Sequence, residues 1–322
     1  MMDRDGVKKR LQGPYATVPT PFDDKFEVDY GRMYEITQWW VEMGLVNGKS
    51  VIKVAAAMGE GPQLRDSEWP HLLEITVQAA KGRVAVMGGI SYKDTVRTIE
   101  DAKRARDLGV TALQVTTPAL NGPTEDDNLR YFEDLSNAVD IGVMIYNTHG
   151  MAGGAISVDG FRKMVDFENI VAIKWSPPPP ERPIPGKYEE IFELADRFNI
   201  IDNCFGPVRC HKLGGRGYIN HNVDIYPPHD LRVWELAENG QYDEADELYK
   251  SVEGRLGEWA AGRPDMNRSG GQARLKKAMM AVMGNPVGVS RPPSLPLTDD
   301  DMESLKELMV SFGWPVPQAV AV

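Results

Sequence analysis

Cysteine is scarce in this chain. Two residues in 322, Cys204 and Cys210, cannot build a disulfide framework, and no spaced Cys/His quartet exists that could hold a structural zinc. Only five histidines occur, none in an HxH or HExxH pattern, which ranks a metal-dependent enzyme low. Positive charge is in deficit, with 36 Lys and Arg against 47 Asp and Glu for a net charge of −11. No Lys/Arg cluster offers a footprint for phosphate backbones, so neither nucleic acid nor an anionic membrane is expected as a partner. No apolar run of about 18 residues could span a bilayer, and the start, MMDRDGVKKRLQGPY, is too charged for a secretory segment. A soluble, cytoplasmic protein is expected. What is present is 42% hydrophobic and 26% charged sequence, enough for a large core.

The order of elements narrows the fold. From Gly13 to about Pro228 short apolar runs alternate with amphipathic stretches, as in parallel strands joined by crossover helices. The strands expected are Tyr15 to Val18, Ser50 to Ala55, Val84 to Gly88, Ala112 to Thr116, Gly142 to Tyr146, Ile170 to Lys174, Ile200 to Cys204 and Gly217 to Asn220. Helical patterns lie between them at Tyr30 to Met43, Ser67 to Ala80, Asp94 to Leu108, Glu125 to Ala138 and Tyr188 to Phe198. Eight strands in such a series fit an α/β fold of the (β/α)8 TIM barrel type better than an open doubly wound sheet. Runs such as VAVMGG and IGVMIY are nearly all apolar, as strands buried on both faces should be. The expected division is a barrel over residues 11–228 and a C-terminal helical region over 229–322, with helices at Leu231 to Glu238, Tyr242 to Leu256, Gln272 to Met283 and Asp299 to Phe312. The segment PPPPERPIPG after Ser176 reads as a stiff polyproline connector, with a lid or partner-binding loop as the alternative.

In such a barrel the chemistry sits at the C-terminal strand ends. Lys174 closes IVAIKWS, and Tyr146 closes GVMIY one strand–helix unit earlier. An amine among Ile, Val and Trp is costly to charge, which makes its neutral, nucleophilic form accessible, as a Schiff-base lysine needs. A neighbouring phenol can relay the protons. The competing reading of a strand-end lysine is a snorkelling or ion-paired residue. Lys53, inside VIKVAAA, shows how little a lone lysine says. The loop AAAMGEGPQL after the second strand can present the backbone N–H groups of Ala57 and Met58 to a carboxylate, or can be a tight turn.

Together these pieces resemble the class I, Schiff-base aldolase superfamily of dihydrodipicolinate synthase and N-acetylneuraminate lyase. The matching pieces run in order: VPTPF from Val18, MGE from Met58, VTTP from Val115, YN at Tyr146 and Asn147, IK at Ile173 and Lys174, LGGRGYI from Leu213, and GNPVGVSRPPSLPLT from Gly284. The resemblance runs from about Leu11 to Pro315. It implies a barrel with C-terminal helices, commonly assembled as a homotetramer, that acts on a 2-oxo acid through a lysine Schiff base. Lys174 takes the place of that lysine and Tyr146 that of the proton-relaying tyrosine. No metal or organic cofactor is implied.

The chain also departs from the family pattern. Where the family usually reads GTTGE, with two hydroxyls on the substrate carboxylate, this chain reads Ala56, Ala57, Met58, Gly59, Glu60. The family's second tyrosine and its carboxylate-binding arginine are absent, with Ala119, Leu120 and Met151 in those regions, which argues against a true dihydrodipicolinate synthase. His149 stands where proline is usual, as an extra acid/base or substrate contact or as an exposed loop residue. Trp175 and Phe205 are expected to add aromatic surface to the mouth, and Asn203 and Asn220 to orient a water or hydroxyl or else to cap strand ends. These features point to an aldolase or hydratase-aldolase for an aryl-substituted or otherwise apolar 2-oxo acid. A 2-oxo-3-deoxy sugar acid dehydratase and a non-catalytic barrel that binds an oxo acid are the alternatives.

Overall fold

The computed structural model describes residues 2–119, 122–148, 154–176, 188–203, 206–263 and 271–317. Eight strands form a closed, all-parallel barrel in chain order: β1 (Gly13–Thr17), β2 (Val51–Val54), β3 (Ala85–Ile90), β4 (Ala112–Thr116), β5 (Gly142–Asn147), β6 (Ile170–Trp175), β7 (Asn199–Asp202) and β8 (Gly217–Ile219). The ring closes where β8 pairs with β1, Gly217 beside Gly13. A Cβ on Gly217 would lie 2.4 Å from the Gly13 carbonyl oxygen, so closure requires a residue without one. This is the (β/α)8 architecture the spacing predicts.

The helices are α1 (Arg4–Arg10), α2 (Tyr30–Glu42), α3 (Glu68–Ala80), α4 (Thr95–Asp107), α5 (Glu125–Ala138), α6 (Val158–Lys163), α7 (Pro207–Lys212), α8 (Pro227–Glu238), α9 (Tyr242–Ala261), α10 (Gly271–Val282) and α11 (Asp299–Ser311). Several starts are set by side chains that cap the first turn: Asp29 accepts from Arg32 N–H, Asp94 from Arg97 N–H, and Thr124 with Asp127 makes a reciprocal capping box. Sequence periodicity misses α1, α6 and α7. Helices of six or seven residues make at most two turns, too few for a 3.6-residue period to register. The helix expected from Tyr188 to Phe198 is a 3-10 segment, Tyr188–Leu194. It buries Tyr188 and Ile191, three residues apart, and that spacing suits the three-residue turn.

Two apolar layers hold the barrel. Inside, residues such as Tyr15, Val51, Ala112, Met144, Ala172 and Ile201 fill the lumen. Outside, strand residues of the opposite parity, among them Ile52, Val143 and Ile173, pack under the helices with Trp40, Leu72 and Phe132. The helix that follows β8, α8, straddles the expected boundary at Pro228 and is tied to the barrel by the Tyr218 hydroxyl, which donates to Asp230 Oδ1 at 2.8 Å. Among the described residues no helix is long and apolar enough to cross a membrane.

Candidate active site

Strand alternation builds the site. Successive side chains on a strand face opposite ways, so a residue two positions beyond a lumen residue faces the lumen one layer higher. From Tyr15, Val51, Ala112, Met144, Ala172 and Ile201 this step leads to Thr17, Lys53, Gln114, Tyr146, Lys174 and Asn203. All six line one cavity at the C-terminal end of the barrel, together with Ala56, Ala57, Met58, Ile219, Asn220, His221 and Gln272. The sequence expectation for Lys174 and Tyr146 is met in space: they are register partners on adjacent strands, and the Lys174 Nζ lies 3.9 Å from the Tyr146 ring centroid. The Lys174 and Thr148 side chains both act on the Tyr146 phenol.

The electrostatics suit a nucleophilic amine. Burial lowers the Lys174 ammonium below its ordinary pKa, and the nearby Tyr146 phenol opposes the shift without cancelling it. The positive charge of Lys174 in turn lowers the Tyr146 phenol below its ordinary value, against the effect of burial. Burial thus makes the free amine of Lys174 more accessible for addition, and the charge of Lys174 makes the Tyr146 phenol a readier proton donor.

The loop after β2 is clamped from several sides. Ala57–Gly59 forms a single 3-10 turn, whose first N–H groups have no partner within the turn. Thr20, in the TPF piece, donates its hydroxyl to the Gly59 carbonyl at 2.7 Å. Glu60, held in a left-handed conformation with φ of 59°, pairs with Lys277 of α10 at 2.8 Å, both side chains being buried. A Cβ at Gly61 would lie 1.8 Å from the Ala55 carbonyl oxygen, which accounts for a glycine at that position. The adjacent Lys276 forms a fully buried ion pair with Asp224, in the segment after β8. Consecutive lysines of α10 therefore hold the segments following β2 and β8, and no reading of local sequence foresees this.

Several expectations require correction. Trp175 adds nothing to the mouth. As the residue after lumen-facing Lys174 it points outward, 1% exposed, donating its indole N–H to the Tyr188 carbonyl and meeting Phe161 edge-on. Lys53, discounted as a lone lysine, lines the cavity. So do His221 and Gln272, which nothing in the sequence singles out. His221 Nδ1 lies 2.8 Å from Glu253 Oε1. Among the described residues, nine of the thirteen that line the cavity carry polar side chains, while apolar atoms form the larger share of its surface. His149, Phe205, Leu120, Met151, Cys204 and the segment 177–186 lie outside the described residues. Among those that are described, no three His, Cys, Asp or Glu side chains gather as a metal site.

Asn203 and Asn220 both border the cavity. The Asn220 side chain is already engaged: its amide donates to Asp230 Oδ1 at 2.7 Å and its carbonyl accepts from the Asn222 and Val223 N–H groups. Burial pushes Asp230 up to about 7, although the hydrogen bonds from Tyr218 and Asn220 favour its anion. A carboxyl whose folded pKa exceeds its unfolded value near 4 contributes stability that is complete below about pH 4 and lost as pH rises through about 7. Chemical denaturation from pH 4 to 8 should therefore show a fall in stability that flattens in Asp230→Asn. An unchanged slope in the variant would assign the effect to other groups.

Residues 10–311 match the dihydrodipicolinate synthetase family. The chain belongs to that family. Membership places it among the carbon–carbon and carbon–oxygen lyases. It is 27% identical over 302 residues to the 4-hydroxy-tetrahydrodipicolinate synthase of Heliobacterium modesticaldum, spanning 91% of this chain and 93% of the relative. The Bacillus subtilis enzyme of the same name is 28% identical over 290 residues, 89% of this chain and 94% of that one. Among solved structures, dihydrodipicolinate synthase from Aquifex aeolicus superposes with a TM-score of 0.81 at 24% identity, covering 96% of this chain and all of its own. The pyruvate complex of the Acinetobacter baumannii enzyme gives 0.79 at 23% identity, over 94% of this chain and 99% of that one.

Proposed function

We propose that this protein is a Schiff-base lyase acting on a 2-oxo acid, with Lys174 as the nucleophile and Tyr146 as the proton carrier. The observation that carries the reading is the pairing of a buried amine of lowered pKa with a phenol at 3.9 Å from its ring centroid, at a barrel mouth. The Lys174 amine adds to the C2 carbonyl, Tyr146 supplies and recovers protons as water leaves, and the iminium accepts the electron pair released at C3. The same intermediate serves C3–C4 cleavage to an aldehyde and pyruvate, or loss of a C4 hydroxyl as water. The N–H groups of Ala57 and Met58 are offered to the substrate, while Asn203 borders its distal part.

The relatives are named as synthases of hydroxy-tetrahydrodipicolinate. The altered loop after β2 and the missing arginine favour a different second substrate here. Because Thr17, Lys53, Gln114, Asn203, His221 and Gln272 line the cavity, we favour an oxo acid bearing hydroxyls, the 2-oxo-3-deoxy acid type, over an aryl-substituted one. Sodium borohydride reduction in the presence of pyruvate, followed by peptide mass spectrometry, tests the mechanism: a pyruvate-sized adduct on the Lys174 peptide is expected. No adduct with pyruvate or with larger oxo acids would overturn it in favour of a barrel that only binds. On the same sample light scattering reads the assembly, four chains for the homotetramer we propose and one for a monomer, which would remove it.

A further inference from the structure

Lys53 presents an unusual arrangement. It sits on β2, two residues below the loop that lacks the family's hydroxyl pair, with its side chain in the cavity and 1% exposed. The one hydrogen-bond partner of its amine among the described residues is Gln114 Oε1 at 2.9 Å, also buried. None of the ion pairs formed by the described residues includes it, and burial, reinforced by the positive charges of Lys174 and Lys276, makes its ammonium form costly and lowers it well below its ordinary pKa, a cost that an anion beside it would relieve. Beside it on β1, in direct register, Thr17 holds a buried hydroxyl that is bonded to nothing among the described residues. An amine and a hydroxyl side by side, both buried and both short of partners, are costly to leave unmatched.

A bound anion would resolve that cost. It would supply the counter-charge Lys53 lacks and an acceptor for the Thr17 hydroxyl, while Gln114 holds the ammonium in place. The cavity is shared with Lys174, and the carboxylate of a 2-oxo acid hangs from the same carbon that Lys174 would attack. We propose that Lys53, together with the Thr17 hydroxyl, receives the substrate carboxylate, taking over from the two hydroxyls replaced by Ala57 and Met58. This assignment rests on Lys174 as the iminium-forming residue. It makes Lys53 the determinant that selects a free acid over an ester or amide.

The experiment measures the concentration for half-maximal borohydride trapping on the Lys174 peptide, with pyruvate and with methyl pyruvate, in wild type and Lys53→Met. Loss of a charge-assisted contact should raise the pyruvate value by about tenfold or more and leave the methyl ester nearly unaffected. Thr17→Val, nearly isosteric, should raise the pyruvate value by a smaller factor, roughly two- to tenfold, and stands in if Lys53→Met fails to fold. Equal shifts for acid and ester, no shift, or an adduct on Lys53 in place of Lys174 would each overturn the proposal. If wild type forms no adduct, calorimetry with pyruvate separates the two readings. Binding weakened by Lys53→Met keeps the carboxylate site and discards the Schiff base, whereas no binding, or binding indifferent to the change, discards the site.

Discussion

Lys174→Ala is expected to lower turnover of any 2-oxo acid substrate by at least about 10⁴-fold, the scale seen when a covalent nucleophile is removed. It should also abolish the borohydride adduct. The fold should survive, because the side chain borders a cavity and does not belong to the lumen layer of Met144, Ala172 and Ile201. Far-UV circular dichroism and a cooperative urea transition would check this. In wild type the adduct should form faster as pH rises through the Lys174 pKa, because only the free amine adds to a carbonyl. Burial places that value below the ordinary 10.5. Turnover retained by the variant would remove the covalent mechanism, whatever the family.

Tyr146→Phe should slow turnover by roughly a hundredfold or more, with little change in KM, as for a lost general acid or base. The substitution is selective. Phenylalanine keeps the ring beneath the Lys174 ammonium and deletes only the hydroxyl. Trapping at Lys174 should persist at a reduced rate, since addition can proceed while the loss of water wants for a proton donor. A near-normal rate would assign proton transfer elsewhere, and His221, oriented by Glu253 at the cavity wall, is the described group placed to take it.

Lys174 and Tyr146 are legible in the sequence because each is the polar residue that ends an apolar run, and neighbouring runs in an alternating pattern become neighbouring parallel strands. Thr17, Lys53 and Gln114 could have been found by the same alternation, each standing two residues after an apolar lumen position. Lys53 does not stand out locally, because a lysine inside an apolar run says nothing until its parity is compared with that of the neighbouring strands. The same comparison would have turned Trp175 outward, since it follows a lumen-facing residue by one. His221 and Gln272 are different. His221 lies on the connection after β8, where no period constrains the direction of a side chain, and Gln272 stands in the first turn of α10, outside the barrel strands.

Apolar periodicity, turn residues and capping side chains were enough to specify eight strands, most helices and the barrel, because those signals act over a few residues. The family motifs, too, stand as local strings in the chain. What they do physically depends on partners more than two hundred residues away: Lys277 on Glu60, Arg291 on Glu68, and Gly217 against Gly13. Helix α10 joins the segments after β2 and β8 through two adjacent lysines, and such pairings arise only once the barrel has closed. The set of polar residues at the cavity is of that kind as well, since it depends on which residues of separate strands come to share one layer.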